Sequence, residues 1–301
     1  AVAVVEDARR RGFYTDVDFL RAVGIAAAGR WDSAADEELE KAVELAAATL
    51  NWFATASPIV LGLVDSLLSE AWRRVAGGGA HEGGEGRQRL ADKLIGLAYN
   101  AARGDPHNLL LFFAIGADRP DLEVVTRRLD ALYNAASNTG KLRLLDVLLY
   151  ALDWDVEGVN VAAVLLGKPW LTQWEALEEA YKRIKGFVSR LDGVEKAYAV
   201  AGLYPRLARR YASSGEFGKA VELVEEALKE LEELQSAYEK DKESAGERLR
   251  PYLELRWLKP DLGEELNDLS RYVYNHVAFV YRDVDELDKA VEYAEEACVL
   301  A

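Results

Sequence analysis

The sequence predicts an all-α protein in which antiparallel helix-turn-helix pairs recur along the chain. Three observations carry that expectation. Apolar residues return every three or four positions with Glu and Lys between them, as at Val221, Val224, Leu228 and Leu231, the period of a helix with one buried face. One octapeptide occurs three times, from Glu38 to Leu45, Glu216 to Leu223 and Glu286 to Tyr293, each reading Glu, Leu or Phe, any residue, Lys-Ala-Val-Glu, then Leu or Tyr. Proline-led starts punctuate the apolar stretches, because proline is suited to the first helical position, where its missing N–H is not needed.

Taken in order, residues 1–75 form an N-terminal helical block holding one degenerate repeat, with a helix start at Ser57-Pro58. The glycine-rich stretch 76–87 cannot contribute to a core and is expected to be a mobile surface loop. Residues 88–190 are expected to hold degenerate helical repeats, with starts at Asp105-Pro106, Arg119-Pro120 and Lys168-Pro169. Tyr-Asn-Ala-Ala occurs there twice, at Tyr99–Ala102 and Tyr133–Ala136, about 34 residues apart, the period of a helix-turn-helix repeat. Residues 191–301 carry the clearest repeats, separated by a stretch, Leu231–Asn267, that reads as a long charged helix followed by Pro251 and Pro260.

Within 191–301 the residues resemble the tetratricopeptide repeat. Tyr204, Leu207, Ala208, Tyr211, Gly215, Phe217, Ala220, Val224 and Ala227 stand at the family's spacing, and so do Tyr274, Val277, Ala278, Tyr281, Leu287, Ala290, Ala294 and Ala297. The resemblance covers 200–231 and 270–301 well, 20–50 in part and 88–190 weakly. It implies helix pairs stacked as a right-handed α-α superhelix, with lengthened helices and an insertion between the two clear copies. Small residues such as Ala208 and Ala220 let two helices approach, while Tyr and Phe fill the gap to the next pair. The resemblance also implies a concave groove for a peptide or partner helix, lined here by Arg206, Arg209 and Ala212 from one repeat and Asn275, His276, Phe279 and Arg282 from the other.

Composition narrows the function. The chain has 301 residues with 52 acidic and 37 basic side chains, net −15. Such a balance repels a phosphate backbone, so nucleic acid is not an expected partner. No apolar run reaches the length of a membrane span, since even Val159–Leu166 stops at Gly167-Lys168-Pro169. With Cys298 as the one cysteine and no secretory leader at the N-terminus, the expected location is the cytoplasm. Scarce Gln, one Cys and no Met beside abundant Glu, Lys and Arg resemble thermophile usage, and the missing Met makes spacings within short segments the safest guide.

Chemistry has little to build on. Asp153, Asp155, Glu157 and Gly158 open like a calcium loop, but Val164 stands where the closing Glu is needed, so a capping turn is the expected reading and no metal is assigned. Asp283 and Asp285 read as ordinary turn acids. His81, His107 and His276 sit in unrelated contexts, and no phosphate-cradling motif or nucleophile elbow accompanies them. No enzyme activity and no cofactor is therefore expected. The favoured function is a protein-interaction scaffold for another protein or peptide. The alternative is a regulatory module that binds a small ligand beside Trp170, Trp174 and Tyr181, or that docks on an ATPase or transcription partner. Homodimerisation through the C-terminal repeat, whose Ala294–Ala301 stretch leaves apolar residues uncovered, is a third expectation.

Overall fold

The computed structural model describes residues 31, 34–43, 65–76, 84–104, 106–115, 117, 121–156, 158–254 and 262–300. Among them thirteen helices make the protein all-α. In the first part of the chain these are α1 (36–43), α2 (Asp65–Ala76), α3 (Gly84–Gly104), α4 (Pro106–Ala114), α5 (Leu122–Ala135), α6 (Asn138–Ala151) and α7 (Val161–Leu165). In the second part they are α8 (Gln173–Val188), α9 (Gly193–Ser213), α10 (Phe217–Lys240), α11 (Lys242–Glu254), α12 (Leu262–Asp283) and α13 (Leu287–Val299). A small antiparallel hairpin, β1 (Asp155–Val156) and β2 (Val159–Asn160), pairs Asp155 with Asn160. No described helix is long and apolar enough to cross a membrane.

The chain divides into two compact units, Ala1–Gln173 and Trp174–Ala301. In the first, α3 is central and packs on α2, α4, α5 and α6. Trp72, Phe112 and Phe113 are fully buried with ring centroids 5.2 to 5.7 Å apart, within the range of favourable aromatic pairs. Arg128 is buried against them, its guanidinium 4.9 Å from the Trp72 ring, and donates to the carbonyls of Phe113 and Ile115. It thereby satisfies the open C-terminal end of α4. Burial pushes its pKa down to about 10, which leaves it charged at neutral pH. Arg74 ties α1 to this unit by pairing with Asp36 and donating to the Ala34 carbonyl at 2.8 Å.

Helix starts in this unit follow local chemistry. α4 begins at Pro106, as the sequence predicts. After Arg119-Pro120 the cap is Asp121, whose Oδ1 accepts from the Val124 N–H at 2.9 Å. Ser137 and Asn160 cap α6 and α7 in the same way. Lys168-Pro169 departs from the expectation: it lies in a turn after Gly167 (φ +73°), and the next helix waits until Gln173. Ser57-Pro58 and 77–83 lie outside the described residues, and α3 already begins at Gly84, inside the stretch expected to be a loop. Tyr99 and Tyr133, the echo that suggested a repeat here, each lie under a basic side chain of α6, Arg143 and Lys141, and Tyr99 also meets the Tyr150 ring edge-on at 5.9 Å.

Four of the six described helices of the second unit form two hairpins. α9 turns back as α10, α12 turns back as α13, and α12 lies against both α9 and α10. Of the repeated residues, Ala208, Ala220, Tyr204, Tyr211 and Tyr281 are buried, whereas Phe217 and Leu287 are 45% and 56% exposed and Ala294 is exposed. The long charged helix expected over Leu231–Asn267 is interrupted. Asp241 ends α10, and its Oδ1 accepts from the Ser244 N–H at 3.0 Å, starting α11 anew. Pro251 sits inside α11, and Pro260 lies outside the described residues.

Candidate functional site

Where α9 meets α12, two sets of residues named from the sequence come together. Arg206 and Arg209 are one turn apart on α9, while Asn275, Phe279 and Arg282 follow the spacing of one face of α12. The Arg209 guanidinium carbon stands 4.6 Å from the centre of the Phe279 ring and that of Arg282 5.0 Å from it. A guanidinium over a ring keeps its N–H edge open to an acceptor, so stacking holds the donors in place without consuming them. Arg282 uses part of its edge on Asp283, at 2.7 and 3.0 Å. Arg209 and Asn275 are exposed, and Ala212 is buried.

His276 completes the cluster but adds no charge to it. Its Nδ1 lies 2.9 Å from the Tyr272 carbonyl oxygen, which can only accept, so Nδ1 carries a proton. Burial is the main reason its pKa falls to about 4, and the Arg206 and Arg209 charges push the same way against the opposing hydrogen bond. The positive potential here therefore comes from the three arginines, in a chain whose net charge is −15.

A second constellation lies within the same unit. Lys219 of α10 stands 4.1 Å from the ring centres of both Tyr181 and Tyr211. It donates to Glu178 Oε1 at 2.8 Å, and the Tyr211 hydroxyl donates to the same oxygen at 2.8 Å. Burial pushes the Glu178 carboxyl up, but the hydrogen bonds from Lys219 and Tyr211 more than offset this and hold it below its ordinary value. Trp174 packs edge-on against Tyr211 at 5.6 Å. Lys219 thus lies against Tyr181, one of the aromatic residues named from the sequence for a small ligand, while Trp170 is 74% exposed. Sequence reasoning missed Glu178 and Lys219 as partners, since nothing in the local pattern of α8 announces which helix it will meet.

Other residues singled out from the sequence take structural places. Asp155 lies in β1 and Gly158 (φ +80°) in the turn of its hairpin, while Val164 is buried in α7. Among the described residues no group of three or more His, Cys, Asp or Glu could hold a metal ion. His81 lies outside the described residues, and Cys298 is exposed. Compared with known proteins, the chain matches no family model, no curated sequence and no solved structure.

Proposed function

We propose that the protein is a non-enzymatic interaction scaffold of tetratricopeptide-like hairpins, acting in the cytoplasm, and that the α9/α12 face receives an acidic peptide or helix of a partner protein. One observation carries the reading: Arg209 and Arg282 both stack on Phe279 beside Arg206, in a chain of net charge −15. Like charges gathered on one ring favour the arrival of carboxylates, and pre-positioned guanidinium edges lose little side-chain entropy on binding. Stacking of α12 on α9 supports the superhelical arrangement, with these residues on the two first helices of successive hairpins. The packing of Lys219 against Tyr181 and Tyr211 is the reason to prefer this to a small-ligand sensor.

The test is affinity capture followed by mass spectrometry, comparing the intact chain with an Arg209→Glu/Asn275→Ala/Phe279→Ala variant. A partner with an acidic segment that is captured by the first and lost from the second, and that is released by raised salt, is the expected result. Retention of every partner by the variant, or capture of none, would sink the assignment of this face.

A further inference from the structure

Three helices of the second unit present the same kind of stripe, a carboxylate between two apolar or aromatic side chains at successive turns. On α8 it is Trp174, Glu178 and Tyr181; on α10 it is Val221, Glu225 and Leu228; on α13 it is Val291, Glu295 and Cys298. The first stripe meets a Tyr and a Lys, since Glu178 accepts from Tyr211 and Lys219. The second lies within electrostatic reach of a Tyr and a Lys, the Lys itself being paired with Glu286. α12 lies against α10, and the Glu225 charge acts on both Tyr281 and Lys289. Lys289 stands 4.7 Å from the Tyr281 ring centre, repeating the relation of Lys219 to Tyr211.

The third stripe faces outward. α13 packs on α12 through Ala290 and Ala297, which are buried, and through Tyr293, which stacks on Tyr281. Leu287 and Val291 are 56% and 57% exposed, and Ala294 and Cys298 are exposed with them. Their spacing draws one continuous apolar seam along the helix. Asp288, Glu292 and Glu295 run along the edge of that seam away from α12, and all three are exposed. On α10, which α12 lies against, the residue matching Ala294 is Val224, and it is fully buried.

We propose that this face of α13 docks an amphipathic helix from a partner protein, one that sets a lysine or arginine against Glu295 as Lys219 is set against Glu178. Charge selects this occupant. Two copies of the chain meeting antiparallel through α13 would lay the rim of Asp288, Glu292 and Glu295 against itself, and the helix has Lys289 alone to oppose it. A basic-rimmed helix meets the same seam with complementary charge. The proposal concerns a different face from the α9/α12 cluster and stands without it.

The experiment uses two fluorescein-labelled synthetic helices with an identical Leu/Ala seam, one rimmed by Lys and one by Glu, titrated with the intact chain and read by fluorescence anisotropy. Binding of the Lys-rimmed helix alone is expected. Leu287→Ser/Val291→Ser should weaken it roughly tenfold, and Glu292→Lys/Glu295→Lys should weaken it as much while admitting the Glu-rimmed helix. Glu243→Lys/Glu247→Lys on exposed positions of α11 makes the same change of net charge and should leave binding within about twofold. The substituted residues are exposed, and circular dichroism checks that each variant is folded. An equal loss in the α11 variant, or no binding of either helix, overturns the proposal. So does a concentration-dependent dimer in sedimentation that Leu287→Ser/Val291→Ser abolishes, which would make the occupant a second copy.

Discussion

Gly215 and Asp285 hold the same turn of successive hairpins, with φ +83° and +65°. In each case the next N–H, of Glu216 or Glu286, donates at 2.9 Å to the carbonyl of the buried tyrosine five residues back, Tyr211 or Tyr281. This is the helix-ending motif that favours a residue without a β-carbon. Glycine takes the left-handed conformation freely, whereas aspartate adopts it under strain.

Asp285→Gly should therefore stabilise the second unit by about 1 kcal/mol, and Gly215→Ala should destabilise it by about the same amount. Urea unfolding followed by circular dichroism measures both. Equal midpoints for Asp285→Gly and the parent chain would mean that the aspartate side chain compensates its own strain through hydrogen bonds in the turn.

Glu230 is nearly inaccessible, with 4% of its side chain exposed, and it is paired with Lys196, of which 37% is exposed. Lys196→Ala strands a buried carboxylate and should lower stability by about 2 to 3 kcal/mol, less than a wholly buried pair because the lysine is part-hydrated. Replacing both partners, as Lys196→Met/Glu230→Leu, should recover most of that loss. A double-mutant cycle on thermal or urea unfolding reads the difference.

His276 makes the second unit sensitive to acid. Its pKa is pushed down to about 4 in the folded chain, below the usual value near 6.5 for an unfolded histidine. The unfolded chain therefore binds the extra proton first. The stabilisation is complete above about pH 6.5 and is lost as pH falls from there to about 4. Stability should drop over that window by about 2 kcal/mol more in the parent than in His276→Gln, once partial exposure of the ring is allowed for. Parallel slopes for the two proteins would show that the ring is hydrated enough to titrate normally.

In the first unit Gly140 is a position of forced smallness. A β-carbon there would collide with the Asp92 carboxylate, which accepts from the Ser137 N–H at 3.1 Å at the start of α6. Burial raises the pKa of Asp92, so the group is poorly placed to move into an alternative site without loss. Gly140→Ala should reduce the stability of this unit by about 2 kcal/mol despite alanine's better helix propensity. A rise in the melting temperature would show that α3 and α6 part easily at this point.

Much of this architecture is legible in the residues. Apolar spacing marks α10 and α12, the octapeptide locates the two hairpin turns, and the repeat positions of Arg209 and Phe279 bring them to facing helices. Side-chain pairing between distant elements is less so. Glu178, Tyr211 and Lys219 lie on three different helices, and each alone reads as a surface acid, a core aromatic or a surface base. Only the packing of α8 on α9 and α10 makes them one cluster. Asp241 was hidden for the opposite reason: helical propensity runs unbroken through it, and a single local hydrogen bond to Ser244 decides where one helix stops and the next begins. Pro169, a plausible helix start by local rules, yields to the turn that Gly167 makes beside Thr126.

Carboxylate–lysine pairs of the second unit join helices that are neighbours in the chain, Glu178 of α8 to Lys219 of the hairpin that follows and Lys196 of α9 to Glu230 of α10. Bonds of such short reach give the unit a direction of unravelling. α13 rests on α12, so releasing it opens little else, whereas α9 cannot leave without disturbing α10, α11 and α12. Amide protons should accordingly exchange with solvent fastest along α13 and slowest along α9, a gradient of local opening laid down by the order of the helices.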